Sequence, residues 1–251
     1  MRRLDNDKKY SYTLIDSHFK ADSFTKGRAF KSFFDKFCQN IFEANLIMLE
    51  DIEYFPIAYN ENNAYASIAH ALHSLTPYVS SEENINYKDK KAKNQQNSKV
   101  DDKEKWRFVD FWCMNDRRDF EVWIEAKLLW LKIGKNANWE FDSVARERIN
   151  NALWQIDNIK KAKPYQIAET SFTVAFFTIP LSCAKSQIPS DDDIESVPKV
   201  VANLLAEFID NRRNMGVLCA VLDLDMQGKQ DELIYEGEYT PYFALGAIVL
   251  E

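Results

Sequence analysis

The sequence predicts an α/β protein, a mixed β-sheet flanked by helices, on three observations. Residues 107–132 alternate with period two on both sides of a polar centre, Asp116-Arg117-Arg118-Asp119, which is the pattern of a β-hairpin. Apolar residues recur at helical spacing elsewhere, most strongly at Phe30, Phe33, Phe34, Phe37, Cys38, Ile41 and Phe42. Two apolar stretches, Phe172 to Leu181 and Val217 to Leu224, read as strands, the second as one covered on both faces. The order helix, helix, hairpin, helix, strand, helix, strand, strands fits helices layered on a mixed sheet.

Residues 1–24 read as polar and irregular, and the first helix is expected from Arg28. Residues 46–59 are ambiguous, with a break at Pro56. A second helix runs from about Asn60, a good cap, to Leu75, burying Ala64, Ile68, Ala71, Leu72 and Leu75. Residues 80–105 are rich in Lys, Asn, Asp, Gln and Ser and read as a long connection, with Ile85 to Lys88 as a short edge strand. Its lysines, Lys88, Lys90, Lys91, Lys93, Lys99, Lys103 and Lys105, are either phosphate contacts or a solvated loop.

After the hairpin, Gly134-Lys135-Asn136 makes a turn. Asp142 or Ser143 then caps a helix that reaches about Lys163 and stops at Pro164. Its stripe is Ala145, Ile149, Ala152, Ile156 and Ile159, edged by Arg148, Asn151 and Gln155. Pro180 is expected to end the next strand. A loop from Ser182 to Ser196 carries Asp191-Asp192-Asp193, and a helix follows from Val197 to Arg213. Leu233 to Tyr235 and Tyr242 to Leu250 read as the last strands. With no repeat and no clean linker, residues 1–251 form a single domain, with a helical N-terminal part at about 25–80 and C-terminal strands at about 230–251.

A net charge of −7 argues against a protein that coats nucleic acid non-specifically, but it leaves room for a local basic patch. No apolar run reaches membrane-spanning length, so no membrane partner is expected. The start, MRRLDNDKKYSYT, lacks the apolar core of a secretory signal. Cys38, Cys113, Cys183 and Cys219 are far apart and read as buried thiols in a reducing cytoplasm. Three histidines make a histidine-rich metal site an unattractive reading, although His70 and His73 lie one helical turn apart.

Within the hairpin, Asp110, Glu125 and Lys127 interrupt faces that are otherwise apolar or aromatic. Charges mid-strand cost free energy unless they are paired or bind a metal. If the loop is even and centred between Arg117 and Arg118, Trp112 faces Trp123 and Asp110 faces Glu125, with Lys127 one pleat further on the same face. An odd loop would break this arrangement. Two carboxylates this close repel unless a cation lies between them, and a hard divalent ion with oxygen ligands suits the place. The bland alternative is a cross-strand salt-bridge cluster on a half-exposed sheet.

Asp110 followed by Glu125-Ala126-Lys127 on the next strand resembles the signature of the PD-(D/E)xK nuclease superfamily, although Val109 stands where the name has proline. The resemblance covers about a quarter of the chain. It implies a restriction-endonuclease-like core at about 60–225 and Mg2+-dependent phosphodiester hydrolysis of nucleic acid, DNA first, with Mn2+ as a substitute. The alternative it allows is a fold of this type without catalysis, acting as a nucleic-acid-binding or protein-interaction module. Carried over residue by residue, Asp110, Glu125 and the Ala126 backbone carbonyl would ligate the metal. Lys127 would hold the attacking water or steady the phosphate. Gln155, on the helix after the motif, would orient that lysine or the water. Glu61, on the helix before the motif strands, is the candidate for a further metal acid, with Glu82 and Glu83 as competitors. Arg117, Arg118 and Arg148 are candidate nucleic-acid contacts. The sequence is compatible with a homodimer but does not fix the oligomeric state.

Overall fold

The phenylalanine stripe belongs to one 26-residue helix, α1 (Gly27–Ile52), which buries Phe30, Phe34, Phe37, Phe42, Leu46 and Leu49 along one side. The stretch left ambiguous at 46–59 therefore begins as helix, because Leu46 and Leu49 prolong the stripe. The helix ends where Glu53 turns left-handed (φ 55°) and its N–H returns to Leu49 O. The computed structural model describes residues 2–3, 10–86, 106–135, 137–162, 166–187, 189, 196–209, 214–224, 234–235 and 238–251. The lysines at 88–105, the acids at 191–193 and Pro164 lie outside the described residues.

The other elements are β1 (Arg2–Arg3), β2 (Ser11–Ile15), α2 (Glu61–Leu75), β3 (Val79–Asn86), β4 (Trp106–Met114), β5 (Phe120–Leu128), β6 (Leu131–Lys132), α3 (Ser143–Ala162), β7 (Thr170–Cys183), α4 (Val197–Ala206), β8 (Met215–Asp223), β9 (Ile234–Tyr235) and β10 (Glu238–Leu250). Eight strands run side by side in the order β1-β2-β8-β10-β7-β5-β4-β3, with β6 paired to β7 and β9 to β10 off that path. The β5–β7 and β6–β7 pairings are parallel and all the others antiparallel, so the sheet is mixed. The connection between parallel β5 and β7 carries α3, the crossover that parallel neighbours require.

Strand alternation assigns the helices to faces. Phe34 and Phe37 of α1 meet Phe176 of β7, and Phe30 meets Phe172. Leu205 of α4 packs on Gly246 of β10 beside Ile179, which lies on the opposite face. A Cβ at position 246 would meet Leu205 Cδ1 at 2.4 Å, so a larger residue there would make the Leu205 side chain shift.

Several expectations change. Residues 11–15 are a strand, paired with β8, in a region read as irregular. The edge strand expected at 85–88 instead spans Val79–Asn86 against β4. Pro180 does not end β7. It falls between the last β5 partner at Thr178 and the first β6 partner at Leu181, where no neighbouring strand needs its N–H. Pro241 lies inside β10, at a register irregularity between Tyr239 and Tyr242.

Asn45 fixes the position of α2. It is buried, donates to Ile41 O (2.8 Å) and Ser67 Oγ (3.1 Å), and accepts the Ile57 N–H (3.1 Å). Asn45→Ala leaves the Ile57 N–H buried without a partner, and a loss of about 1–3 kcal/mol is expected in denaturant unfolding. A loss below about 0.5 kcal/mol would show that the network is idle.

Candidate active site

The hairpin register is the one the even loop requires. Asn115 N–H donates to Phe120 O, closing a four-residue loop, and Asn115 Oδ1 accepts the N–H groups of Asp119 (3.0 Å) and Phe120 (3.1 Å). Arg118 supplies the left-handed position (φ 57°). The ladder then pairs Met114 with Glu121, Cys113 with Val122, Trp112 with Trp123 and Phe111 with Ile124. One step further, Asp110 comes opposite Glu125, and there the backbones part. Ala126 N–H is taken by the Asp110 side chain, Oδ2, at 2.8 Å. A strand residue sends its N–H and C=O to the same neighbour, so the Ala126 carbonyl also faces the gap. On the far side, Glu82 is left-handed (φ 54°) and the β3–β4 ladder skips it and Asp110.

Three acids surround Lys127. Its Nζ lies 2.6 Å from Glu125 Oε1, 3.7 Å from Glu61 Oε1 and 3.9 Å from Asp110 Oδ2. Lys127 pairs with Asp110 and Glu125 as the bland alternative expected, but the cluster is more buried than a half-exposed sheet would leave it. Glu125 is 2% exposed and the Lys127 side chain 19%. Burial, then the charge of Asp110, push the Glu125 carboxyl up to about 7, against the pull of Lys127 and of a Gln155 hydrogen bond. Burial also raises Asp110, partly offset by the Ala126 N–H and Lys127. For Lys127, burial pulls down but Glu125, Asp110 and Glu61 outweigh it and hold the ammonium above its ordinary range. Acids that resist ionisation around one held cation are a common mark of functional sites.

Glu61 arrives from the first turn of α2, which Asn60 caps by accepting Asn63 N–H at 2.9 Å. Gln155 arrives from α3 and hydrogen-bonds Glu125. Arg148 is exposed and donates to Leu128 O at 2.7 Å, next to Lys127. Arg117 and Arg118 are not at the site. They sit at the hairpin tip, roughly 20 Å away along β4 at ~3.3 Å per residue. Arg118 donates Nε to Tyr78 Oη at 2.8 Å and lies over that ring. Glu82 is exposed, and so are His70 and His73.

Two residues were not foreseen. Tyr65, one turn after Glu61, donates to Glu61 Oε1 at 3.2 Å and hydrogen-bonds Asp110. The i,i+4 spacing was readable, but not that this face of α2 meets β4. Glu121, on the Glu125 face, is fully buried and satisfied by Trp123 Nε1 (3.2 Å) and Ile167 N–H (3.1 Å), so it serves the fold.

Among the described residues, no three His, Cys, Asp or Glu side chains form a ready metal cage. The Lys127 ammonium is drawn in among the acids instead. The chemistry of the donors would still suit a hard ion, because Asp110, Glu125 and the Ala126 carbonyl offer oxygen atoms and Mg2+ keeps several waters rather than demanding an all-protein cage.

Among the described residues no helix is long and apolar enough to cross a membrane. Fold and cluster together define an α/β protein with a mixed sheet and a buried carboxylate–lysine site. No protein-family model, curated protein or solved structure matches the chain.

Proposed function

We propose that this cluster hydrolyses phosphodiester bonds of nucleic acid, DNA in the first place, with Mg2+ or Mn2+. The observation that carries the reading is the gathering of Glu61, Asp110 and Glu125 around Lys127 in a site where Glu125 is almost wholly buried. Burying these charges costs free energy that a salt bridge at the surface does not spend. The sequence of helix, antiparallel hairpin, crossover helix and parallel strand supports a restriction-endonuclease-like core around it. The four free, buried cysteines are in keeping with a reducing compartment such as the cytoplasm.

Asp110, Glu125 and the Ala126 carbonyl would hold the metal, with Glu61 beside them. The bound ion would supply Lewis-acid stabilisation and lower the pKa of its water. Lys127 would hold the attacking water by a hydrogen bond from its ammonium or stabilise charge on the phosphate oxygens. Gln155 fixes the Glu125 carboxylate, and Arg148 is placed to meet the substrate's backbone.

Purified protein incubated with single- and double-stranded DNA and with RNA tests the proposal. Cleavage in Mg2+ or Mn2+, abolished by chelation and reduced about 100-fold or more in Asp110→Asn, is expected. Unimpaired cleavage by Asp110→Asn would remove that residue from the site. Absence of cleavage by the wild type under every condition would overturn the hydrolase, and retained DNA binding would then favour a binding module.

A further inference from the structure

The geometry points to Tyr65 as a positioning residue that couples Glu61 of α2 to Asp110 of β4, so that the two acids meet a divalent ion as a pair. The inference rests on the reading of the cluster as a metal-dependent hydrolase and adds a residue that neither the motif nor the sequence assigned. Glu61 belongs to a helix, Asp110 to a strand, and no backbone hydrogen bond joins them. Tyr65 spans that gap. Its hydroxyl lies 3.2 Å from Glu61 Oε1 and is also hydrogen-bonded to Asp110. Its ring stands edge-on to Phe111, the residue after Asp110, with centroids 5.5 Å apart. The helix thus holds the strand at the residue that follows the site acid.

A phenol has one proton to donate, so Glu61 and Asp110 share it. Lys127 is the other group common to both acids, at 3.7 and 3.9 Å, but it must be free to meet water or phosphate. Tyr65 touches neither the proposed substrate nor its reacting atoms. It acts through the two carboxylates, keeping Glu61 near Asp110 when Lys127 turns away.

A double-mutant cycle with Tyr65→Phe and Glu61→Gln tests this, read by Mn2+ titration calorimetry and by the Mg2+ dependence of DNA cleavage. Tyr65→Phe keeps the ring on Phe111, so its melting temperature should stay close to that of the wild type. Its Mn2+ Kd and its half-maximal Mg2+ concentration should each rise roughly tenfold, as for loss of a group that orients a ligand. kcat at saturating Mg2+ should fall far less. In the Glu61→Gln background, Tyr65→Phe should add little, because the couple is already broken. Mn2+ binding by Tyr65→Phe equal to the wild type, or an effect that adds in full to that of Glu61→Gln, overturns the Tyr65 inference alone. Wild-type protein that neither binds Mn2+ nor cleaves overturns the hydrolase reading and this one with it.

Discussion

Lys127→Ala is expected to lower Mg2+-dependent cleavage by roughly 100- to 1,000-fold, the usual cost of removing one group that stabilises charge in a transition state. Metal binding should not fall with it. Lys127 stands within 4 Å of Glu125, Glu61 and Asp110, and its positive charge opposes an incoming cation. Its loss also leaves Glu125 and Asp110 without the charge that draws them down, so both titrate higher. At pH 8 to 9, Lys127→Ala should therefore bind Mn2+ at least as well as the wild type. Single-turnover cleavage and calorimetry on the same preparation separate the two effects. A variant that loses binding and cleavage together would make Lys127 a structural support of the acids instead.

The second large effect is on stability. Glu125 titrates near 7 in the folded protein against an ordinary 4.5, so between those values the native state holds a proton that the unfolded chain releases. Its contribution is full below about pH 4.5 and is lost as pH rises to 7, a change on the order of 3 kcal/mol at 1.36 kcal/mol per unit. Asp110, also raised, acts in the same direction. Urea unfolding at pH 5 and pH 8 should show the wild type weaker at pH 8, with most of that slope absent in Glu125→Gln. That variant should be inactive and yet the more stable protein at pH 8. Millimolar Mn2+ should restore part of the wild-type loss at pH 8 and leave Glu125→Gln almost unmoved. A wild type equally stable at both pH values would refute the buried carboxylate as a source of strain.

The hairpin was legible because period-two alternation survives on both strands and an even loop leaves a single register, the one found from Phe111/Ile124 to Met114/Glu121. That register was enough to bring Asp110, Glu125 and Lys127 together. Gln155 and Glu61 came from what the resemblance implied about the helices after and before the motif strands, which are α3 and α2. Strands β2 and β3 were hidden because SYTLI and VSSEENIN are polar or mixed, and strands paired through backbone groups need no apolar alternation. Pro180 misled because a missing N–H ends a strand only where a neighbour requires it. Arg117 and Arg118 lie at the hairpin tip, the part furthest from the strand ends that hold the acids, and Tyr78 takes Arg118 there. Tyr65 was invisible because its partner Asp110 lies 45 residues away, across an α2–β4 contact that no periodicity encodes.

The parting of β4 and β5 at Ala126 also gives the protein a spectroscopic handle. An amide proton held by a carboxylate is bound more tightly than one held by a neutral carbonyl, and the difference vanishes when the carboxylate takes up a proton or is claimed elsewhere. The Ala126 N–H, at 2.8 Å from Asp110 Oδ2, is therefore a resident gauge of that side chain's charge. Its nitrogen-15 resonance should move with pH and with added Mn2+-free Mg2+, while the amides of the intact ladder at Trp123 and Ile124 stay still. The state of the acid can thus be followed at a single backbone position, with no substrate and no turnover.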